Sequence, residues 1–120
     1  MLDRTSKWFV TYDEGLADRI RDELGVLDSL TERKMFGGLA FLIGGHMAVV
    51  ASGQGGLLAR VDPDTADRAV EAGTAELAVM RNREMRGWLR ITADDVATSR
   101  ALRKWTDLSR EFIATLPPKG

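Results

Sequence analysis

Leu16, Ile20 and Leu24 recur at four-residue spacing with Ala17 beside them, while Arg19, Arg21, Asp22 and Glu23 occupy the positions between. That is the stripe of an amphipathic helix, and it predicts one over about Tyr12 to Leu24. Thr11-Tyr12-Asp13-Glu14 has the Ser/Thr-x-x-Glu form of a capping box, and Gly25 stands where a glycine ends a helix. Trp8, Phe9 and Val10 precede it, either folded back as a hydrophobic staple or trailing from a loose N-terminal tail.

From Leu30 the period changes from helical to extended. Leu30–Phe36, Leu39–Ile43, Met47–Ser52 and Leu57–Val61 are short runs rich in Val, Ile, Leu and Phe, separated by Gly37-Gly38, Gly44-Gly45 and Gly53-Gln54-Gly55-Gly56. Gly-Gly pairs suit the positive φ angles of tight hairpins, and the spacing leaves no room for crossover helices, so these strands form an antiparallel meander. Asp62-Pro63-Asp64 opens a second helix to about Ala72, stopped by Gly73. Ala75–Met80 reads ambiguously, at most as a short edge strand. Met85–Thr92 reads as a strand with Met85, Gly87, Leu89 and Ile91 on one side and Arg86, Trp88 and Arg90 on the other. Thr98 or Ser99 caps a last helix whose buried stripe is Ala101, Trp105, Leu108, Phe112 and Ile113, and Pro117-Pro118 ends it. The order predicts a two-layer α+β domain, with three helices on an antiparallel sheet of about five strands. A single domain over residues 1–120 is expected, with its core at about residues 12–117.

One feature of the meander does not fit a sheet with a single covered face. Such strands alternate apolar with polar. Here Leu39, Phe41 and Ile43 fall on one phase and Gly38, Ala40 and Leu42 on the other, and Met47–Ala51 behaves the same way. One face takes the helices. The other needs cover from the N-terminal segment, from a third helix, or from another chain such as a second copy in a homodimer. Cover from within the chain ranks slightly ahead of the homodimer.

Composition narrows the function classes. Seventeen Lys plus Arg against eighteen Asp plus Glu give a net charge of −1, which disfavours a general nucleic-acid binder. There is no cysteine, so disulfides, thiolate metal sites and cysteine nucleophiles are excluded, in keeping with a reducing cytoplasm. MLDRTSKWFVTYDE has no signal-peptide run, and the near-apolar stretch from Met35 to Ala51, with four glycines and a histidine, is too interrupted to span a bilayer.

Candidate chemistry is sparse. The Gly pairs are each followed by a strand and no Gly-Lys-Ser/Thr occurs, so they read as turns and not as a phosphate cradle. His46, the only histidine, lacks a second histidine or a cysteine for a metal and reads as a solvent-facing turn residue. Asp62, Asp64, Asp67, Asp94 and Asp95 read as helix-start or surface acids. No catalytic, metal or cofactor-binding residue is expected, and no cofactor. The sharper group is Arg81, Arg83, Arg86 and Arg90 with Trp88 between the last two. Arginines interleaved with an aromatic can stack on and pair with acidic partners or phosphates. Arg86, Trp88 and Arg90 are therefore the candidate interaction surface, with Arg100, Arg103 and Lys104 adding to it if they lie alongside. The plainer alternative is a Trp88 packed under a helix with a solvated arginine rim.

Four segments in order resemble the N-terminal domain of the TfoX (Sxy) family: Arg33–Leu42 (RKMFGGLAFL), Gly44–Ala48 (GGHMA), Glu84–Trp88 (EMRGW), and Leu102–Trp105 (LRKW) with the Leu116–Lys119 end (LPPK). They cover about Tyr12 to Lys119. The resemblance implies a secretion-chaperone-like α+β fold and a role near transcriptional regulation. Members of the family regulate natural competence and are thought to act with the cyclic-AMP receptor protein rather than by reading DNA themselves. Those regulators carry a second, C-terminal domain, which a sequence ending at Gly120 lacks. The resemblance carries over no catalytic or ligand residue. Its glycines look like turn makers, and Met35, Phe36, Met85 and Trp88 like packing residues. The expected function is thus a non-enzymatic, regulatory protein-interaction module. The alternatives are direct nucleic-acid binding through the arginine strand and a small-molecule pocket between sheet and helices.

Overall fold

The computed structural model describes residues 12–25, 29–35 and 37–117. Helix α1 (Glu14–Leu24) begins two residues later than the capping box implied, because Asp13 is the cap: the Leu16 N–H donates to Asp13 Oδ1 (3.1 Å). A carboxylate there both satisfies an orphan amide and faces the positive end of the helix. Thr11 and the Trp8–Val10 staple lie outside the described residues. Gly25 ends the helix at φ 67°, its N–H donating to the Arg21 carbonyl.

The strands are β1 (Leu30–Met35), β2 (Gly38–Ile43), β3 (His46–Ala51), β4 (Leu57–Arg60), β5 (Glu76–Met80) and β6 (Arg83–Ile91). They form one sheet in the order β1-β2-β3-β4-β6-β5, and every neighbouring pair is antiparallel. The described sheet therefore has six strands, because Glu76–Met80 is an edge strand and not a loop. Between β4 and β5 runs α2 (Pro63–Ala72), capped by Asp62 and closed by Gly73 in the left-handed region. A short 3₁₀ turn (Asp94–Val96) leads from β6 to α3 (Ser99–Ala114), capped by the Thr98 hydroxyl.

Two hairpins are closed by two residues with positive φ. Gly44 and Gly45 (59° and 84°) join β2 to β3, as the Gly-Gly pair predicts. Arg81 and Asn82 (52° and 63°) join β5 to β6 in the same way without glycine. In the first hairpin Met35 faces Gly38, so Gly38 opens β2 and is not a turn residue paired with Gly37 as the sequence suggested. A Cβ on Gly38 would stand 2.6 Å from the Ala51 carbonyl oxygen, which accounts for that glycine by close strand approach. Phe36 is outside the described residues.

The three described helices all pack on one face. Leu16, Ala17, Ile20 and Leu24 of α1, Ala66 of α2, and Leu102 and Trp105 of α3 join Leu39, Phe41, Val49, Ala51, Leu57, Ala59, Leu89 and Ile91 in one core. The buried line of α3 differs from the predicted stripe. Leu102, Trp105, Thr106, Ser109 and Ile113 are buried, while Ala101, Leu108 and Phe112 are half-buried. Apolarity was a poor guide here, because two hydroxyl residues hold the centre of the contact.

The other phase of the meander forms a second, smaller core. Ala40, Leu42 and Val50 are buried, and half-buried Met35, Met47, Leu58 and Trp88 pack around them. No residue of the described helices belongs to this cluster, so α3 is not what covers that face. Between the two cores β3 carries a bulge. Phe41 faces Val49 and Leu42 faces Met47, which leaves Ala48 without a partner in β2. Its carbonyl accepts a hydrogen bond from Ser109 Oγ (2.7 Å), with neither residue exposed to solvent.

Candidate interaction surface

Alternation along β6 places Leu89 and Ile91 in the helix-side core and sends Trp88 and Arg90 to the opposite face. In register, Trp88 lies across from Arg60, and Arg90 lies between Leu58 of β4 and Glu76 of β5. Gly87 sits just before them at φ 85°, its carbonyl accepting the Val61 N–H (2.8 Å). A side chain there would be strained and would crowd the Val61 carbonyl at 3.3 Å.

The three candidate residues have different circumstances. Arg86 is exposed and makes no ion pair or side-chain hydrogen bond within the described residues. Trp88 is half-buried, its ring against the Ala40, Leu42 and Val50 cluster rather than under a helix. Arg90 is half-buried and donates to the Gly55 carbonyl (3.1 Å), the Gln54 carbonyl (3.3 Å) and Ser52 Oγ (3.4 Å). That guanidinium fastens the β3–β4 loop to β6, a local task that polar pattern alone did not reveal.

The arginines of the last helix do not extend this surface. The helix packs on the other side of the sheet, and Arg103 Nε pairs with Glu23 Oε1 of α1 (3.0 Å), which raises the guanidinium pKa. Lys104 Nζ stands 4.9 Å from the ring of its neighbour Trp105. A second ion pair ties α1 to the edge strand. Arg21 donates to both Glu32 carboxylate oxygens (2.6 and 2.8 Å) and to Asp18 (2.6 Å), and lies 5.9 Å from the Phe41 ring centroid. Those hydrogen bonds hold the Glu32 carboxyl below its ordinary 4.5, against a smaller opposing effect of burial.

A family model for the TfoX N-terminal domain matches residues 22–113, well over half of the chain. The chain belongs to the TfoX N-terminal domain family. Comparison with curated proteins gives no significant match. The matched span of the TfoX domain takes in the whole second core, the helix-side core apart from Leu16, Ala17 and Ile20 of α1, the β3 bulge, and Arg86, Trp88 and Arg90.

His46 is more engaged than a solvent-facing turn residue. It is half-buried, and its Nε2 meets the Pro117 carbonyl. A carbonyl can only accept, so Nε2 carries the proton. Beside it Ile43, Ile113 and Leu116 line an open groove of about 780 Å³ with Asp107, Arg110 and Glu111 around it. Sequence reasoning missed this groove because its lining comes from the β2–β3 turn and the end of α3, far apart in the chain. Asp62 caps α2, accepting from the Asp64 and Thr65 N–H groups, as its place before Pro63 predicted. Among the described residues no group of three His, Cys, Asp or Glu side chains is arranged to hold a metal. Nor is any described helix long and apolar enough to cross a membrane.

Proposed function

We propose that this TfoX N-terminal domain is a non-enzymatic protein-interaction module, regulatory in role and linked to transcription. Competence control is the process its family brings forward, and the cytoplasm of a bacterial cell is the setting proposed for it. The observation that carries the reading is the face around Trp88. An indole half-exposed on a sheet face to which no described helix contributes, with Met35, Met47 and Leu58 beside it and Arg86, unpaired among the described residues, along the same strand, has the composition favoured at protein contacts. A second copy of this chain is one candidate occupant of that face, and light scattering on the purified protein tests it directly.

The decisive comparison is a pull-down from native extract with wild type, Trp88→Gln and Arg86→Glu, each checked for intact folding by thermal unfolding. Both variants are expected to lose the partner while remaining folded. Arg90 is left alone because its substitution would release the β3–β4 loop. Capture of the same partner by all three proteins sinks the assignment of this face. A second reading, small-molecule binding, is favoured by the groove beside His46. It predicts a thermal shift with a ligand that Ile113→Glu abolishes.

A further inference from the structure

The two edges of the sheet are built differently. β1 presents Thr31, Glu32, Arg33 and Lys34, all exposed, with Glu32 held by Arg21. Charges along an edge discourage another strand from pairing there. β5 carries Leu77-Ala78-Val79-Met80 after a single leading Glu76. Val79 is 62% exposed, and it and Val70 are the large apolar side chains left open among the described residues. Only β6 pairs with β5, so the backbone groups on its far side have no described strand to meet. Arg81 in the turn after β5, Arg83 across from Met80, and Arg86 further along β6 are exposed and make no ion pair among the described residues. Glu84, the one carboxylate in the same stretch, bonds none of them.

We propose that β5 accepts an extended, acidic segment of a partner protein as an added strand. Backbone hydrogen bonds along β5 supply the register, an apolar side chain of the segment covers Val79, and its carboxylates meet Arg81, Arg83 and Arg86. The proposal rests on the reading that the chain works by binding other proteins, but it uses the open β5 edge and shares only Arg86 with the face around Trp88. The charged β1 edge argues for β5 as the edge left open for use.

The test is fluorescence anisotropy with a labelled short peptide of alternating glutamate and valine. Its controls are the same peptide with lysine for glutamate, the same peptide N-methylated at alternate residues, and a single-stranded oligonucleotide. The acidic peptide is expected to bind at least about tenfold more tightly than the lysine peptide, because like charge rejects the wrong partner. N-methylation and the Val79→Glu or Arg83→Glu variants should each abolish binding, whereas Trp88→Gln should bind as wild type does. Equal binding of the N-methylated peptide overturns strand addition. Tighter binding of the oligonucleotide overturns the acidic-protein partner, and loss of binding in Trp88→Gln moves the contact off the edge. No binding of the acidic peptide overturns the proposal, while leaving the pull-down result through Trp88 standing or falling by itself.

Discussion

Ser109→Ala is the sharpest probe of how the helix layer is fixed to the sheet. The Ser109 hydroxyl donates to the Ala48 carbonyl at 2.7 Å, and both residues have no exposure to solvent. Ala48 sits in the β3 bulge, so no β2 partner takes its place in the ladder. Removing the hydroxyl leaves a buried carbonyl unsatisfied, which costs about 1–3 kcal/mol. Thr106 supplies the control. It is on the same helix and equally buried, but its hydroxyl donates to the Arg103 carbonyl of its own helix (3.1 Å). That carbonyl keeps its place in the helical ladder, so Thr106→Val should cost less than about 1 kcal/mol. Urea unfolding followed by circular dichroism resolves the difference: with a slope of about 1.5 kcal/mol/M, a loss of about 2 kcal/mol moves the midpoint by about 1.3 M. Equal costs for the two variants would falsify the account of the bulge as a satisfied anchor.

Three further outcomes follow from local geometry. Arg81 and Asn82 both hold positive φ, so replacing Arg81-Asn82 with Asn-Gly should stabilise the protein by about 0.5–1.5 kcal/mol, read as a higher Tm; an unchanged or lower Tm rejects the turn assignment. Because Arg21 holds Glu32 below 4.5, the unfolded chain takes up that proton more readily than the folded one. The stabilisation from this pair is complete above 4.5 and is lost as pH falls through the lower folded value. Glu32→Gln should therefore cost under about 1 kcal/mol near neutral pH, since the pair is partly exposed, and should flatten the acid limb of the stability profile; an unaltered limb refutes the linkage. Gly56→Ala would place a Cβ 2.5 Å from the Ile91 carbonyl at φ 76°, whereas Gly73→Ala meets nothing within 4 Å at φ 76°. The first should cost more than about 2 kcal/mol and the second about 1 kcal/mol, measured in the same urea series.

Helices α1 and α2 were legible because each couples an apolar spacing to a glycine stop, and Asp62-Pro63 and Gly73 bound α2 where the sequence places them; the start of α1 was read at Thr11 when Asp13 is the cap. The meander was legible because Gly44-Gly45 permits little else. β5 was not, since its turn is Arg81-Asn82, and an arginine at positive φ carries no turn signal. The centre of α3 was misjudged for a related reason. A stripe drawn from apolar residues passes over Thr106 and Ser109, whose burial depends on acceptors the sequence does not display. The candidate surface was found as three residue types on one strand phase, but the pattern could not separate their tasks. Arg90 points at carbonyls 35 and 36 residues away in the chain, a relation visible only after folding.

That separation decides which substitution is informative. Trp88 and Arg90 share a phase of β6, and replacing either removes a large side chain from the same face. Arg90, however, carries hydrogen bonds to Ser52, Gln54 and Gly55, so its loss frees a loop whose Gly56 lies against Ile91. A binding defect in an Arg90 variant therefore mixes contact with loop damage. Trp88 packs on side chains alone, with no described hydrogen bond to lose, so a defect there reports the face itself. Arg86 then separates charge from packing, because it is exposed and unpaired. If Arg86→Glu weakens binding while Trp88→Gln does not, the partner reads the charge of the strand, and the β5 edge, which shares that arginine, becomes the place to look.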